Sequence, residues 1–463
     1  MRETLGWPPN IDKSADEQFW EFIKDPDEFI KNNGKNIEAF VRNRCFILKD
    51  AMLVPRDTME PFGFRDAIDF CFFMNFPFCS YNIWPLDDGI FEDIWFNSPA
   101  IRRLTGIKQL SYLTGFVYDD EIQQEVIDIS YMTTGYTAFT HTRAEHSLLV
   151  SLLMSLMLDG FGRYDYINGV LAGAFHDIAT PAGGEATAGV SDEFDEEENF
   201  KEVFYLFEDE EKWKDKYPEF DIEYISRIIK NEGLVGKILD MCDKLAYVIL
   251  DVYHYANTSP NNFIRRFAKR YPLFGDIIWN LKIDREREIV YFDDPSALFY
   301  FLEVRAYEFE DLLKRPSRKL NEWYVRSIVK KLLKAKKITR HDLLTKDDEF
   351  INYAILEYYG ELLNCLWNKE DFLKAVICNP EEVDTTISNC LGKGWQLMGQ
   401  ERIRGFKPDT DILVKDSKGN IVPFRQAEKQ KAAHIEAIAQ DTGTIALYFR
   451  THTPQETTFI DID

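Results

Sequence analysis

"HTRAEHSLLV", residues 141–150, and "AFHDIATP", residues 174–181, decide the reading of this chain. Only 7 histidines occur in it, and two of them, His146 and His176, interrupt stretches that otherwise read as buried helix. "SLLVSLLMSLML" (147–158) is apolar nearly all round, the pattern of a central helix. "YINGVLAGAFHDI" (166–178) is a second such stretch, with small residues that permit close packing. "GLVGKILDMCDKLAYVILDVYHYA" (233–256) is a third. Side by side, these helices offer His146, the pair His176 and Asp177, and Asp243. Two imidazoles and two carboxylates form a mixed nitrogen and oxygen ligand set suited to Mn, Fe, Zn, Ni or Mg. A divalent cation in such a set lowers the pKa of water for attack on phosphorus.

Context separates this His-Asp doublet from the other one. His176–Asp177 closes an apolar helix and breaks into the turn "IATPAGG" (178–184), whereas His341–Asp342 reads as a helix start with its acid near the N-terminus. Asp243, Tyr247 and Asp251 follow at intervals of four and share one helix face. Lys244 stands beside that face, and Arg143 and Arg305 are fork-shaped cations suited to phosphate.

The formal charge of −24 excludes broad attraction to DNA or an anionic membrane surface, while leaving room for a small nucleotide in a locally basic pocket. Hydrophobic residues at 45% and aromatics at 14% suffice for large cores, and 463 residues predict two or three folding units. The 7 cysteines are scattered and unpaired in sequence, which fits a reduced, cytoplasmic setting. The opening stretch lacks an apolar core of signal-peptide type, and no run is long enough to span a membrane. The organisation expected is an aromatic-rich segment over 1–82 packing on the core, a helical domain over 83–330, and a helical and α+β region over 331–463. In the last of these, "DILVKDSKGNIVPF" (411–424) predicts a hairpin and "GTIALYFRTH" (443–452) a further strand. The acidic run "DEFDEEENF" (192–200) reads as a solvated loop or helix start, with a metal-attracting or regulatory role as the other reading.

The motif "HTRAEHSLLV", preceded by Arg103-Leu104 and Ile107-Lys108-Gln109-Leu110 and followed by His176-Asp177, resembles the HD-domain phosphohydrolase superfamily. Within it, the resemblance is to the deoxynucleoside triphosphate triphosphohydrolase branch, which includes the sterile-alpha-motif-linked enzymes, and it covers roughly 83–320. It implies a mainly α fold with an HD helical core, to which the strand signals near the end of the sequence add a small α+β C-terminal unit. It implies His146, His176, Asp177 and Asp243 as metal ligands, and Arg143, Lys244 and Arg305 as phosphate contacts. Gln109, Tyr247 and Asp251 would read the sugar. A homo-oligomer with a nucleotide ligand is implied on the same ground.

The chain departs from that pattern in several places. Thr180 and Glu185 stand where further histidines are common, and "DEEENF" (195–200) has none where a third is expected. Their absence removes the usual general acid, and Glu185 is the candidate to replace it if burial keeps it protonated. Leu313 stands where a base-contacting aromatic is common. The function expected is metal-dependent hydrolysis of nucleotides, with (d)NTP cleavage to nucleoside and triphosphate leading. Nucleotide monophosphatase or other phosphoester hydrolysis, and nucleotide binding by a degenerate site, are the alternatives.

Overall fold

The computed structural model describes residues 90–108, 141–255, 277–310 except 279, 314, 316–355, 357, 373–403, 405–439 and 443–451, together with four short strands. These strands form two hairpins, β1 (Phe46–Lys49) with β2 (Met52–Pro55) and β3 (Phe116–Asp119) with β4 (Gln124–Ile127). The remainder of 1–82, together with Gln109 and Leu313, lies outside the described residues. The chain is mainly helical, with its sheets short. Among the described residues no helix is long and apolar enough to cross a membrane.

Three helices carry the centre. Helix α1 (Pro99–Leu104) precedes them; its N-cap Ser98 accepts from the Ile101 N–H, and proline follows at the first turn, where a missing N–H costs nothing. Helix α2 (Arg143–Met157) opens on a reciprocal cap: Thr142 Oγ1 accepts from the Glu145 N–H at 3.2 Å, and Glu145 accepts from the Thr142 N–H at 2.6 Å. From Arg143 to Ser155 every residue of α2 is buried, as its all-round apolar pattern predicts.

Helix α3 (Arg163–Phe175) packs on α2 through its small residues. A Cβ on Gly173 would meet the Ser151 backbone at 2.9 and 3.0 Å, so only glycine allows this approach. Ser151 Oγ donates to Val170 O at 2.9 Å across the same crossing. Short helices α4 (Gly184–Ala188), α5 (Glu196–Phe207), α6 (Glu210–Lys216) and α7 (Ile222–Ile229) lead to the long α8 (Gly233–Tyr255), which packs on both α2 and α3.

Strands β5 (Leu281–Asp284) and β6 (Ile289–Phe292) form a hairpin, followed by α9 (Pro295–Glu308), α10 (Pro316–Lys334) and α11 (Arg340–Thr345). Thr339 caps α11 with Asp342 in a reciprocal box, so His341–Asp342 is a helix start, as expected. Strands β7 (Leu373–Cys378) and β8 (Trp395–Arg402) flank α12 (Val383–Gly392) in sequence. The predicted hairpin is β9 (Leu413–Lys415) with β10 (Ile421–Pro423), turned at Gly419 in the left-handed region. Helix α13 (Lys429–Ile438) and strand β11 (Ile445–Thr451) complete the chain's described part.

Two sheets result. The antiparallel β7-β11-β8 sheet packs on α10, where Trp323 stacks on Tyr448 at 4.5 Å between centroids. The other has the order β10-β9-β6-β5, and β6 runs parallel to β9, pairing Tyr291 with Leu413. Through that pairing residues 413–438 join the main core: Val414, Phe424, Ala432 and Ile435 are buried in the same cluster as α2, α3 and α8.

Candidate metal centre

His146 projects from the first turn of α2, His176 is the C-cap of α3, and Asp243 lies midway along α8. His146 Nε2 stands 2.8 Å from Asp243 Oδ1 and 3.3 Å from His176 Nε2. His176 Nε2 stands 3.4 Å from Asp243 Oδ1. Around a divalent cation with bonds of about 2.1 Å, neighbouring donor atoms sit roughly 3.0–3.4 Å apart, so the three atoms outline one face of such a coordination sphere. His176 Nδ1 faces Gly173 O at 2.8 Å and must carry its proton there, which leaves Nε2 its lone pair for a cation. Two facing Nε2 atoms beside a carboxylate are a donor set that a cation or a proton must bridge. The residues present therefore fit a divalent metal.

Asp177 is the fourth member. Its carboxylate is 3.5 Å from His176 Nε2 and 3.7 Å from His146 Nε2, and Arg143 donates to it at 2.8 Å. All four expected ligands thus meet in one place, with Arg143 bound to the edge of the set. His146 and Asp177 are buried, while the Asp243 side chain is 37% exposed, so the centre opens on the α8 side.

The local field follows from this crowding. Burial alone would lower the pKa of His176, but Asp177 and the Asp243 contact outweigh it and raise it to about 9. Burial works against ionised Asp177 and Asp243 as well. Arg143 and the two imidazoles nonetheless hold Asp177 below the carboxylate range, and the imidazoles do the same for Asp243. Burial opposes the charge on Arg143, yet Asp177, Glu196 and Glu185 push its pKa up.

The turn after His176, which carries Gly183-Gly184, is tied at several points. Arg103, buried, donates to Ile178 O at 3.0 Å, Thr180 O at 2.7 Å, Leu343 O at 3.2 Å and Lys346 O at 2.8 Å. The Ala182 N–H donates to Leu343 O, and the Gly183 N–H, where φ is +84°, donates to Asp348. Burial among carbonyls lowers Arg103 to about 10 despite the nearby Asp348. The segment around α11 thus braces the His-Asp turn.

Beyond the ligands, Thr180, at a position where a histidine was expected, donates to Glu196 at 2.8 Å. Glu196 is the first residue of α5, so the acidic run is a helix start whose leading carboxylate turns inward. Burial, then Asp177, raise its pKa to about 7. Sequence reasoning passed over it, although Glu196, Phe200, Val203 and Phe204 fall on one helical stripe whose other members are core. Glu185 accepts from Arg318 at 2.5 Å. Desolvation works against its charge, but Arg318 and Arg143 hold it below the usual range, so Glu185 is an ionised carboxylate, not a proton carrier.

On α8, Lys244 Nζ donates to the Asp240 carboxylate at 2.7 Å. Tyr247 lies under the Arg305 guanidinium, whose carbon is 5.4 Å from the ring centroid. Arg305, from α9, also lies 4.8 Å from the Phe406 ring and forms an ion pair with Asp409. Asp251 is buried two turns beyond Asp243, 3.5 Å from His141 and hydrogen-bonded with Glu308. Burial raises the pKa of both acids, Glu308 the more.

No family model and no curated protein matches the chain. Solved structures do. A hypothetical protein from Aquifex aeolicus superposes with a TM-score of 0.55 at 17% identity, covering 79% of this chain and 93% of that one. A phosphohydrolase from Bacteroides thetaiotaomicron superposes with a TM-score of 0.54 at 16% identity, covering 80% and 98%. The chain shares the fold of these proteins.

Proposed function

We propose that the protein is a metal-dependent phosphohydrolase acting on nucleotides. The observation that carries this is the convergence of His146, His176 and Asp243, each donor atom within 4.8 Å of the others, with Asp177 and Arg143 at the edge. The sequence resemblance to HD-domain phosphohydrolases and the fold shared with a protein named a phosphohydrolase support it. A divalent cation held there supplies Lewis acidity toward a phosphate oxygen and brings the pKa of water toward neutrality.

The remaining work falls to side chains. Arg143, fixed by Asp177, is placed to steady charge growing on a phosphate oxygen. Glu196, which holds its proton near neutral pH, takes the general-acid role that the missing histidines leave open. Tyr247 and Asp251, which lie along α8, form with Gln109 the set that reads the sugar in the resemblance. The leading reaction is cleavage of a (d)NTP to nucleoside and triphosphate. Hydrolysis of a nucleoside monophosphate is the second reading, favoured by the engagement of Arg305 and Lys244 with Asp409. A cytoplasmic homo-oligomer is proposed with it.

Incubating the metal-loaded protein with dNTPs, NTPs and nucleoside monophosphates tests the assignment. Triphosphate release supports the first reading and orthophosphate from monophosphates the second. Binding without turnover across Mn, Fe, Zn, Ni and Mg overturns both.

A further inference from the structure

We infer that Asp409 is an internal anion seated on the phosphate cations, and that it sets how many phosphates the centre accepts. This rests on the phosphohydrolase reading. Arg305 and Lys244 come from α9 and α8, and both are turned toward one carboxylate: Arg305 is ion-paired with Asp409, and Lys244 Nζ lies 3.8 Å from the same oxygen. Lys244 is further tied to Asp240. Arg305 is sandwiched between Tyr247 and Phe406, with its side chain 13% exposed, and its Nε has no hydrogen-bond partner among the described residues.

Asp409 reaches this seat on a built support. Its backbone is left-handed, φ +49°, a conformation disfavoured for a residue with a side chain. Its carbonyl accepts from the Ile412 N–H at 3.0 Å. Neighbouring Thr410 donates to Glu436 on α13 and accepts at its carbonyl from the Arg425 N–H. Phe406 stacks on Phe309 at 5.2 Å. The loop is thus anchored by β9 and α13 and presents a carboxylate where distal phosphates would need Arg305 and Lys244.

A phosphomonoester needs only the cation and Arg143, and it leaves Asp409 in place. A polyphosphate must displace Asp409 or meet its charge at close range. Asp409 is therefore the specificity-determining residue between the two readings, weighting the resting protein against distal phosphates.

Asp409→Asn tests this with the backbone preserved, since asparagine tolerates left-handed φ. Calorimetry on the metal-loaded wild type and variant would use inorganic tripolyphosphate and orthophosphate as probes. The expected result is tripolyphosphate binding tightened by roughly 10- to 100-fold, the value of one charge-assisted contact, with orthophosphate changed by less than about 3-fold. The ratio of triphosphate to monophosphate turnover should rise in step. Equal tightening of both ligands, or no change in tripolyphosphate, overturns the inference. Asp409→Gly, which also accepts positive φ, provides the same comparison should the asparagine variant unfold. A wild type that binds both probes but hydrolyses nothing would refute the phosphohydrolase reading alone, because the binding comparison still reports on Asp409.

Discussion

Gly173→Ala should damage the metal centre without touching a ligand. Gly173 lies three residues before His176, and its added Cβ would meet Ser151 Cα at 2.9 Å, about 0.5 Å short of ordinary contact. The obstacle is backbone, so α2 and α3 must part. Overpacking of this kind costs about 1–3 kcal/mol, while alanine gains about 1 kcal/mol over glycine in a helix. The net loss is therefore about 0–2 kcal/mol, and the protein stays folded. The donors suffer more. His146 moves with α2 and His176 with α3, and a metal site tolerates about 0.2 Å. Metal affinity should fall at least about tenfold, read by competition against a chromophoric chelator, with thermal unfolding measured beside it. Gly162→Ala is the control, because nothing lies within 4 Å of its Cβ and its φ is −63°. Unchanged metal affinity in Gly173→Ala would refute the claim that the α2–α3 approach sets the site.

Metal affinity should also weaken as pH falls. His176 titrates near 9 in the protein, so below that a proton competes for Nε2, and each unit of acidification should cost up to about tenfold. The sign for folding agrees: a histidine raised above its usual 6.5 contributes stability fully present below that value and lost as pH rises through about 9. Glu196→Gln should leave metal content intact and lower kcat by roughly 10²–10⁴-fold, seen in initial rates. Arg103→Met strips donors from four carbonyls, three of them in buried contacts, and should destabilise by roughly 2–4 kcal/mol, measured by urea unfolding.

Much of the centre was legible in local pattern. The all-round apolar runs marked α2, α3 and α8 as core, and a histidine or acid inside such a run stands out because nothing in an apolar helix requires it. The Lys-Gly-Asn turn marked β9–β10, since left-handed Gly419 belongs to a tight hairpin. Long-range meetings left no such trace. Strand β6 pairs with β9 across 122 positions, Tyr291 to Leu413, and neither strand carries a signal naming its partner. Asp409 reaches Arg305 through that same pairing, 104 positions away. Glu196 is an intermediate case: its acidic neighbours announce solvent, yet its spacing to Phe200 and Phe204 places it on the buried stripe. What fixes the turn after His176 left no local trace, because glycines report only what the backbone can do. What holds it are Arg103 and Asp348, brought in from other elements.

The most direct test of the central claim is elemental analysis of the protein after reconstitution with Mn, Fe, Zn, Ni or Mg and removal of free ion. The wild type should retain about one divalent ion per chain, and the His176→Ala, Asp177→Ala double variant less than about a tenth of that. Equal retention by both, or none by the wild type with any of the five metals, would contradict the account.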